Sequence, residues 1–150
     1  MRLGIFKTTD GGSSWTAVST GLGDMRVEAL AVDPTRPDVV YAGTSAMGMF
    51  KSTNGGATWA ASSSGMRATE HIKAIVVNPG QPEVVYAGSL ASGVYASTNG
   101  GASWALINTG LRNRGIRALA ISAGGGVLYA GTFGEGVFRL GAVSAPSRRR

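Results

Sequence analysis

One phrase recurs four times along this chain of 150 residues, and its spacing limits the fold more than any other feature of the sequence. The phrase is a glycine, two apolar or aromatic residues and one further residue, and successive copies begin 44, 45 and 43 residues apart. The copies are Gly4–Lys7, Gly48–Lys51, Gly93–Ala96 and Gly136–Arg139. A second phrase, Tyr-Ala-Gly, begins at Tyr41, Tyr86 and Tyr129 and keeps the same period. A fixed period of this length indicates that the chain is built from repeated structural units.

Each period contains four short segments with the composition of β-strands, which we letter A to D in chain order. The A segments are 27–32, 72–77 and 116–121, and the B segments are 39–43, 84–88 and 127–131. The C segments are the glycine-aromatic phrases, and each D segment begins at a tryptophan. No stretch carries a capped helical stripe, so no helix is predicted. Four strands in about 44 residues are typical of a β-propeller blade, so the sequence predicts an all-β fold of four-stranded antiparallel blades.

The turns between the C and D segments share the motif Ser/Thr-x-Asp/Asn-x-Gly-x-x-Trp. Its positions are Thr8, Asp10, Gly12 and Trp15, then Ser52, Asn54, Gly56 and Trp59, then Ser97, Asn99, Gly101 and Trp104. This motif resembles the Asp-box, or BNR repeat, of sialidases, xyloglucan-cleaving glycosidases, sortilin-type receptor propellers and photosystem II assembly factors of the Ycf48 type. The resemblance covers nearly the whole chain before its last residues and implies the same propeller fold. Asn54 and Asn99 depart from the aspartate of the strict motif.

We interpret the Asp-box residues as structural. Short Asp and Asn side chains close turns by bonding nearby backbone N–H groups, and glycines supply positive φ. The tryptophan is expected to bury a large ring between blades. These roles explain every residue type of the motif without a ligand.

Candidate binding residues lie at the other end of the predicted blades. In an antiparallel blade the D–A and B–C connections share one end, which we name the loop face, and the Asp-boxes lie at the opposite end, the Asp-box face. In the enzymes that the motif resembles, function belongs to the face opposite the Asp-boxes. The candidate ligand-binding residues are Arg26, Arg67, Glu70, His71, Lys73, Arg112, Arg114, Arg117, Phe133 and Glu135. Asp24, Met47, Leu90, Asn113 and Glu28 are predicted to lie on the same face. Its six cations and four anions suit a polar or anionic partner, and the alternative is that they are solvated loop charges.

No catalytic residue is assigned from the sequence. Glycoside hydrolysis ordinarily needs two carboxyl groups about 5 to 10 Å apart, one with a raised pKa. Four of the eight acids, Asp24, Glu28, Glu70 and Glu135, are expected on the loop face, but none lies in a distinctive motif. The three repeat-equivalent tyrosines are better explained as core residues than as nucleophiles. Two functions therefore stay open: a non-catalytic module that binds a protein or a glycan, and part of a glycoside hydrolase completed by other blades or chains.

Composition excludes several other classes of function. The chain has no cysteine and one histidine, so neither a disulfide framework nor a metal or cofactor site is predicted. The net charge of +6 includes the terminal Arg148, Arg149 and Arg150, and the other basic residues are dispersed, so nucleic acid is not an expected partner. The longest uncharged stretch, Val84–Leu111, is rich in polar residues and glycine and does not suit a membrane. No signal-peptide pattern is present, and no compartment is assigned.

The strand inventory gives about three and a quarter blades over residues 1–141, followed by a basic tail over 142–150 that is expected to be flexible. Propellers close with about four to eight blades, so a lone chain would leave apolar sheet faces uncovered. We expect either a homo-oligomer, in which two chains give about six blades, or a segment of a longer propeller. In an oligomer, Gly136–Leu140 and the next chain's Gly4–Lys7 would compete for the same strand position. A purely structural unit that only self-assembles is a third interpretation.

Overall fold

Thirteen short strands form four antiparallel sheets in the structure, a computed structural model that describes residues 4–23, 26–141 and 143. Blade 1 contains β1 (Phe6–Lys7) and β2 (Thr16–Ala17). Blade 2 contains β3 (Val27–Val32), β4 (Val40–Thr44), β5 (Met49–Ser52) and β6 (Ala60–Ala61). Blade 3 contains β7 (Ile72–Val77), β8 (Val85–Ser89), β9 (Gly93–Ser97) and β10 (Ala105–Leu106). Blade 4 contains β11 (Ile116–Ile121), β12 (Val127–Thr132) and β13 (Gly136–Gly141).

The predicted all-β propeller architecture is confirmed. Each sheet follows chain order, so every strand pairs with its sequence neighbour as in a propeller blade. The three A segments match β3, β7 and β11 residue for residue. The D strands begin one residue later than predicted, directly after each tryptophan, and each covers only two residues. The described part of the chain contains no helix.

The hydrophobic core lies between blades rather than within them. One cluster joins Val39, Tyr41 and Met49 of blade 2 to β7, β8 and Trp104 of blade 3. A second joins blade 3 to blade 4, and a third joins blade 1 to blade 2. The strands β3, β7 and β11 contact one another in succession, so the A strands lie innermost in the array. Each blade therefore buries its two faces only where another blade lies beside it.

Hydrogen bonds between connections confirm the two predicted ends of the blades. The Asp-box turn bonds to the A–B turn of its own blade, from Gly55 N to Asp38 O and from Gly100 N to Glu83 O, each at 2.8 Å. At the other end, Ser45 N donates to Arg26 O at 3.0 Å, so the B–C turn is fixed to the start of the A strand.

Close backbone contact between blades depends on glycine at one repeated position. A Cβ on Gly88 would lie 2.5 Å from Ile116 Cγ2 of the next blade, and one on Gly43 would lie 2.6 Å from Ile72 Cγ2. The equivalent Gly131 has only ordinary contacts within its own blade, because no further blade of the described chain lies beside it. Two of the three Tyr-Ala-Gly glycines thus set the distance between blades.

Candidate binding face

Three inner strands bring charged residues to the loop face at equivalent positions. The pairing of β3 with β4, β7 with β8 and β11 with β12 is irregular after the first residue of the inner strand, at Glu28, Lys73 and Arg117. Bulges of this kind frequently redirect a side chain beside a functional site. The backbone there is fixed by Leu90 N, which donates to His71 O at 2.9 Å, and by Phe133 N, which donates to Gly115 O at 2.8 Å.

One ion cluster on the face joins Glu28 to three of the candidate residues, Arg26, His71 and Lys73. Lys73 Nζ donates to Glu28 Oε2 at 2.8 Å. Arg26 Nε lies 3.1 Å and His71 Nε2 lies 3.5 Å from Glu28 Oε1, as ion-pair contacts without hydrogen-bond geometry. The hydrogen bond from Lys73 outweighs burial and holds the pKa of Glu28 below its ordinary value. Glu28 is therefore ionised at neutral pH and is not suited to act as a general acid.

Arg117 and Phe133 form a second exposed feature of the face. The Arg117 guanidinium carbon lies 4.9 Å from the centre of the Phe133 ring, a cation–π distance. Phe133 is 67% exposed, and its carbonyl accepts a hydrogen bond from Asn113 Nδ2 at 2.7 Å. An aromatic ring with an adjacent arginine is a surface on which a planar or anionic group can bind.

The structure buries Glu70, although the sequence places it among the candidate ligand-binding residues. Glu70 is only 2% exposed, and its carboxylate accepts hydrogen bonds from the hydroxyls of Ser89, Ser92 and Tyr95. Its backbone carbonyl accepts the N–H of Gly48 at 3.0 Å. Glu70 thus connects the turn before β7 to the B–C turns of two blades, and it has no access to a ligand.

Sequence reasoning missed the hydroxyl partners of Glu70, yet a comparison of repeats contains a signal. The positions of Glu70, Ser92 and Tyr95 are Met25, Met47 and Phe50 one repeat earlier and Arg114, Glu135 and Phe138 one repeat later. The earlier set, with Met25, Met47 and Phe50, is wholly apolar, whereas all three residues of the set with Glu70 are polar. Residues that change together between repeats indicate side chains in contact.

The remaining candidates are surface residues around these features. Arg67, Arg112, Arg114 and Glu135 are exposed. Asp24 lies outside the described residues. Among the side chains that are described, no three of His, Asp and Glu lie close enough together to hold a metal ion. No helix in the described ranges is long and apolar enough to cross a membrane.

The three Asp-box turns at the opposite end share one hydrogen-bond pattern. In the first, Thr8 Oγ1 donates to Asp10 Oδ1 at 2.8 Å and accepts from Gly12 N at 2.9 Å, while Ser14 N donates to Asp10 Oδ1 at 3.0 Å. The boxes around Asn54 and Asn99 repeat these bonds with amide oxygens, at 2.8 to 2.9 Å. The box side chains are therefore occupied within their own turns.

The tryptophans of the boxes differ in their surroundings. Trp59 and Trp104 are 6% and 5% exposed, and their indole N–H groups donate to Val18 O and Ser62 O of the preceding blade. Trp15 is 61% exposed, so the expectation of a ring buried between blades is wrong for this residue. The physical reason is that no blade of the described chain precedes it.

The repeated sheets, the interblade cores and the closed Asp-box turns define the class of an Asp-box β-propeller. A sequence model of the Sortilin-Vps10 family, described as sortilin, neurotensin receptor 3, matches residues 4–118. The chain belongs to this family. No curated protein is significantly similar to it.

Solved structures with the same fold include two GH74 enzymes and a Ycf48 protein. An ancestral GH74 enzyme has a TM-score of 0.73 and 25% identity over 92% of this chain and 20% of its own. The GH74 enzyme of Niastella koreensis has a TM-score of 0.72 and 26% identity over 91% of this chain and 24% of its own. The Ycf48 protein of Cyanidioschyzon merolae has a TM-score of 0.56 and 13% identity over 77% of this chain and 34% of its own, which indicates the fold alone. The chain spans about a fifth to a quarter of the GH74 enzymes.

Proposed function

We propose that the chain is a non-catalytic β-propeller module that binds a protein or a glycan on its loop face and self-associates through the open faces of its terminal blades. The observation that carries the binding proposal is the arrangement around Glu28, whose carboxylate contacts three basic side chains. Arg26 and Lys73 carry two positive charges against the single negative charge of Glu28, and Arg117 adds a further cation beside an exposed ring. These features support an anionic or polar ligand.

The surroundings of the acids support a role without catalysis. Glu28 is paired with Lys73, and Glu70 is enclosed by three hydroxyls. Of the described acids predicted for this face, only Glu135 remains as an exposed carboxyl group. Hydrolysis of a glycosidic bond with two carboxyl groups would therefore need a second one from another blade or chain.

Direct binding measurements test the loop-face proposal. Carboxylated and sulfated oligosaccharides and acidic peptides would be titrated against the chain by calorimetry, with neutral oligosaccharides for comparison. Arg117→Ala is expected to weaken the best ligand about tenfold, which corresponds to about 1.4 kcal/mol. Arg139→Ala, which removes an exposed cation from β13 rather than from a loop of this face, is the matched control and is expected to leave affinity unchanged. Equal losses in both variants would contradict a specific loop-face site.

Exposed apolar residues at the two ends of the array support self-association. Leu30 and Val32 are 51% and 53% exposed, while their repeat equivalents Ile75 and Val77 are each 8% exposed. At the other end Val137 is 71% exposed, while its equivalent Val94 is fully buried. Light scattering after size exclusion is expected to show a discrete oligomer. A monomer at all concentrations would contradict this part of the proposal.

The second candidate function is part of a glycoside hydrolase, and the likeness to two GH74 enzymes at 25% and 26% identity favours it. Turnover on xyloglucan and on a panel of fluorogenic glycosides is the discriminating assay, and none is expected. Activity that is lost in Glu135→Gln while the fold is retained would establish the hydrolase instead. Self-association of a chain that binds none of the tested ligands would favour the purely structural interpretation.

A further inference from the structure

The tyrosine of β4, Tyr41, occupies a defined socket between blades 2 and 3. Tyr41 is fully buried between blades 2 and 3, and its hydroxyl donates to Gly100 O at 3.1 Å. Lys51 Nζ lies 5.4 Å from the centre of the Tyr41 ring and donates to the same carbonyl at 2.7 Å. A Cβ on Gly101 would lie 3.1 Å from Tyr41 Cε1. The socket therefore consists of the lysine of the neighbouring C strand and the two glycines of the next Asp-box.

The same socket recurs between blades 1 and 2 as a cavity. Its volume is about 230 Å³, and its walls include the equivalent lysine and glycines, Lys7, Gly55 and Gly56. Lys7 Nζ donates to Gly55 O at 3.1 Å, as Lys51 does to Gly100. Val32 and Trp59 are among the apolar residues of the wall. Within the described residues no B strand pairs with β1, so no tyrosine fills this cavity, although its walls have the chemistry that surrounds Tyr41 one blade further on.

The chain also carries a tyrosine that has no socket. Tyr129 of β12 is the repeat equivalent of Tyr41 and Tyr86, and it is 41% exposed whereas both equivalents are fully buried. Tyr41 pairs with Lys51 across β4 and β5. The equivalent pairing would place Tyr129 opposite Lys7. Within the described residues β1 pairs only with β2, so its other edge is free to accept a strand.

We infer that Tyr129 of one copy inserts into the cavity between blades 1 and 2 of a second copy, with β12 pairing along the free edge of β1. This inference rests on the self-association proposed above and specifies its junction. In the proposed junction, β1 and β2 of the second copy take the place of β13 beside β12. Only one of the two competing C strands is therefore used. The buried side chains Ile5 and Leu22 and the bond from Trp59 Nε1 to Val18 O hold blade 1 on blade 2. No residue of β13 is fully buried, and only Phe138 and Leu140 are partly buried against the core, so we take β13 as the strand that is displaced.

Two single variants and their mixture test the junction. Tyr129→Ala removes the inserted side chain, and Val32→Glu places a charge in the socket wall. Both residues are substantially exposed in the isolated chain, so the fold is expected to persist, as circular dichroism would verify. Each variant alone is expected to reduce the oligomer to monomer by sedimentation velocity, while Leu106→Ala, a matched change at a 48% exposed residue of β10, keeps the wild-type mass. A mixture of the two variants retains one intact tyrosine and one intact socket and is expected to form a heterodimer.

The outcomes separate this junction from the wider proposal. If an oligomer forms and neither variant changes its mass, the proposed self-association stands and the tyrosine junction is wrong. A wild-type monomer would overturn both. A peptide with the sequence of residues 127–132, Val-Leu-Tyr-Ala-Gly-Thr, provides a second measurement, because it is expected to compete with the junction and dissociate the oligomer. If that peptide changed the fluorescence of Trp15, which lines the cavity, while the wild type stayed monomeric, the socket would belong to a strand of another polypeptide and not to a second copy.

Discussion

Trp104 illustrates how a single side chain joins two blades. Its ring is buried between blades 2 and 3, its indole N–H donates to Ser62 O at 2.7 Å, and its backbone N–H donates to Ser64 O at 2.9 Å. Burial of the ring stabilises the blade contact, and the two hydrogen bonds fix its direction. Trp15 has the same local motif but is mostly exposed. The stabilisation thus comes from the neighbouring blade and not from the turn itself.

We expect Trp104→Phe to lower the free energy of unfolding by about 1 to 3 kcal/mol, because a smaller ring remains and Ser62 O loses its partner. Trp15→Phe is the matched control and should change stability by less than about 0.5 kcal/mol when both changes are made in Tyr129→Ala, which lacks the proposed junction. Urea unfolding followed by circular dichroism gives both values. Equal effects of the two changes would show that the rings contribute within their own blades.

Glu70→Gln is expected to destabilise the chain by about 2 kcal/mol or more, because an amide presents one acceptor and a donor to three hydroxyls that now donate to a carboxylate. Glu135→Gln is the control, since Glu135 is exposed in the B–C turn of blade 4. Thermal unfolding of both variants tests the difference. A neutral effect of Glu70→Gln would mean that the buried network does not hold the loop face together.

Asp10 differs from the equivalent Asn54 and Asn99 in carrying a titratable group. The side-chain hydroxyl of Ser14, followed by its N–H and the hydroxyl of Thr8, lowers the pKa of Asp10 from 3.8 to about 2. A lowered pKa stabilises the fold fully above the ordinary value, and this contribution disappears as the pH falls through about 2. Carboxyl NMR titration should show a midpoint near 2, which rises in Ser14→Ala. A midpoint unaffected by that change would contradict the hydrogen-bond origin.

At the scale of elements, the sequence predicts local structure well and neighbour-dependent structure poorly. The A strands are bounded by turn residues and have β-branched ends, so their limits follow from the sequence. The Asp-box turns depend on residues no more than four positions apart, and their residue types specify their bonds. Glu70 instead bonds to residues 19, 22 and 25 positions away, and no local pattern indicates that it is buried.

The glycines of Tyr-Ala-Gly give a test of blade spacing. We expect Gly88→Ala to destabilise the chain by about 1 to 3 kcal/mol, because the added methyl group would overlap Ile116 of the next blade. Gly131→Ala adds the same methyl group where only ordinary contacts exist, and in Tyr129→Ala, which lacks the proposed junction, it should change stability by less than about 1 kcal/mol. Chemical denaturation distinguishes the two. Similar losses in both variants would assign the effect to strand conformation and not to blade contact.

At the scale of the whole molecule, the open array ends in two different surfaces. One presents Leu30 and Val32 beside the cavity of Lys7, and the other presents Tyr129 and Val137. The repeat places complementary residues at the two ends, as it does inside the chain between blades 2 and 3. This asymmetry favours head-to-tail association, which generates a ring when its rotation closes.

The interblade position of the core has an energetic consequence for such a ring. An open row of n blades contains n − 1 packed interfaces, whereas a closed one contains n. Closure therefore adds an interface without requiring another blade to become ordered, and the entropy of chain folding has already been lost. Unfolding of a closed assembly must begin by opening one interface, and this step gains no conformational entropy within the blades. Closure should consequently slow unfolding more than the number of residues alone would suggest.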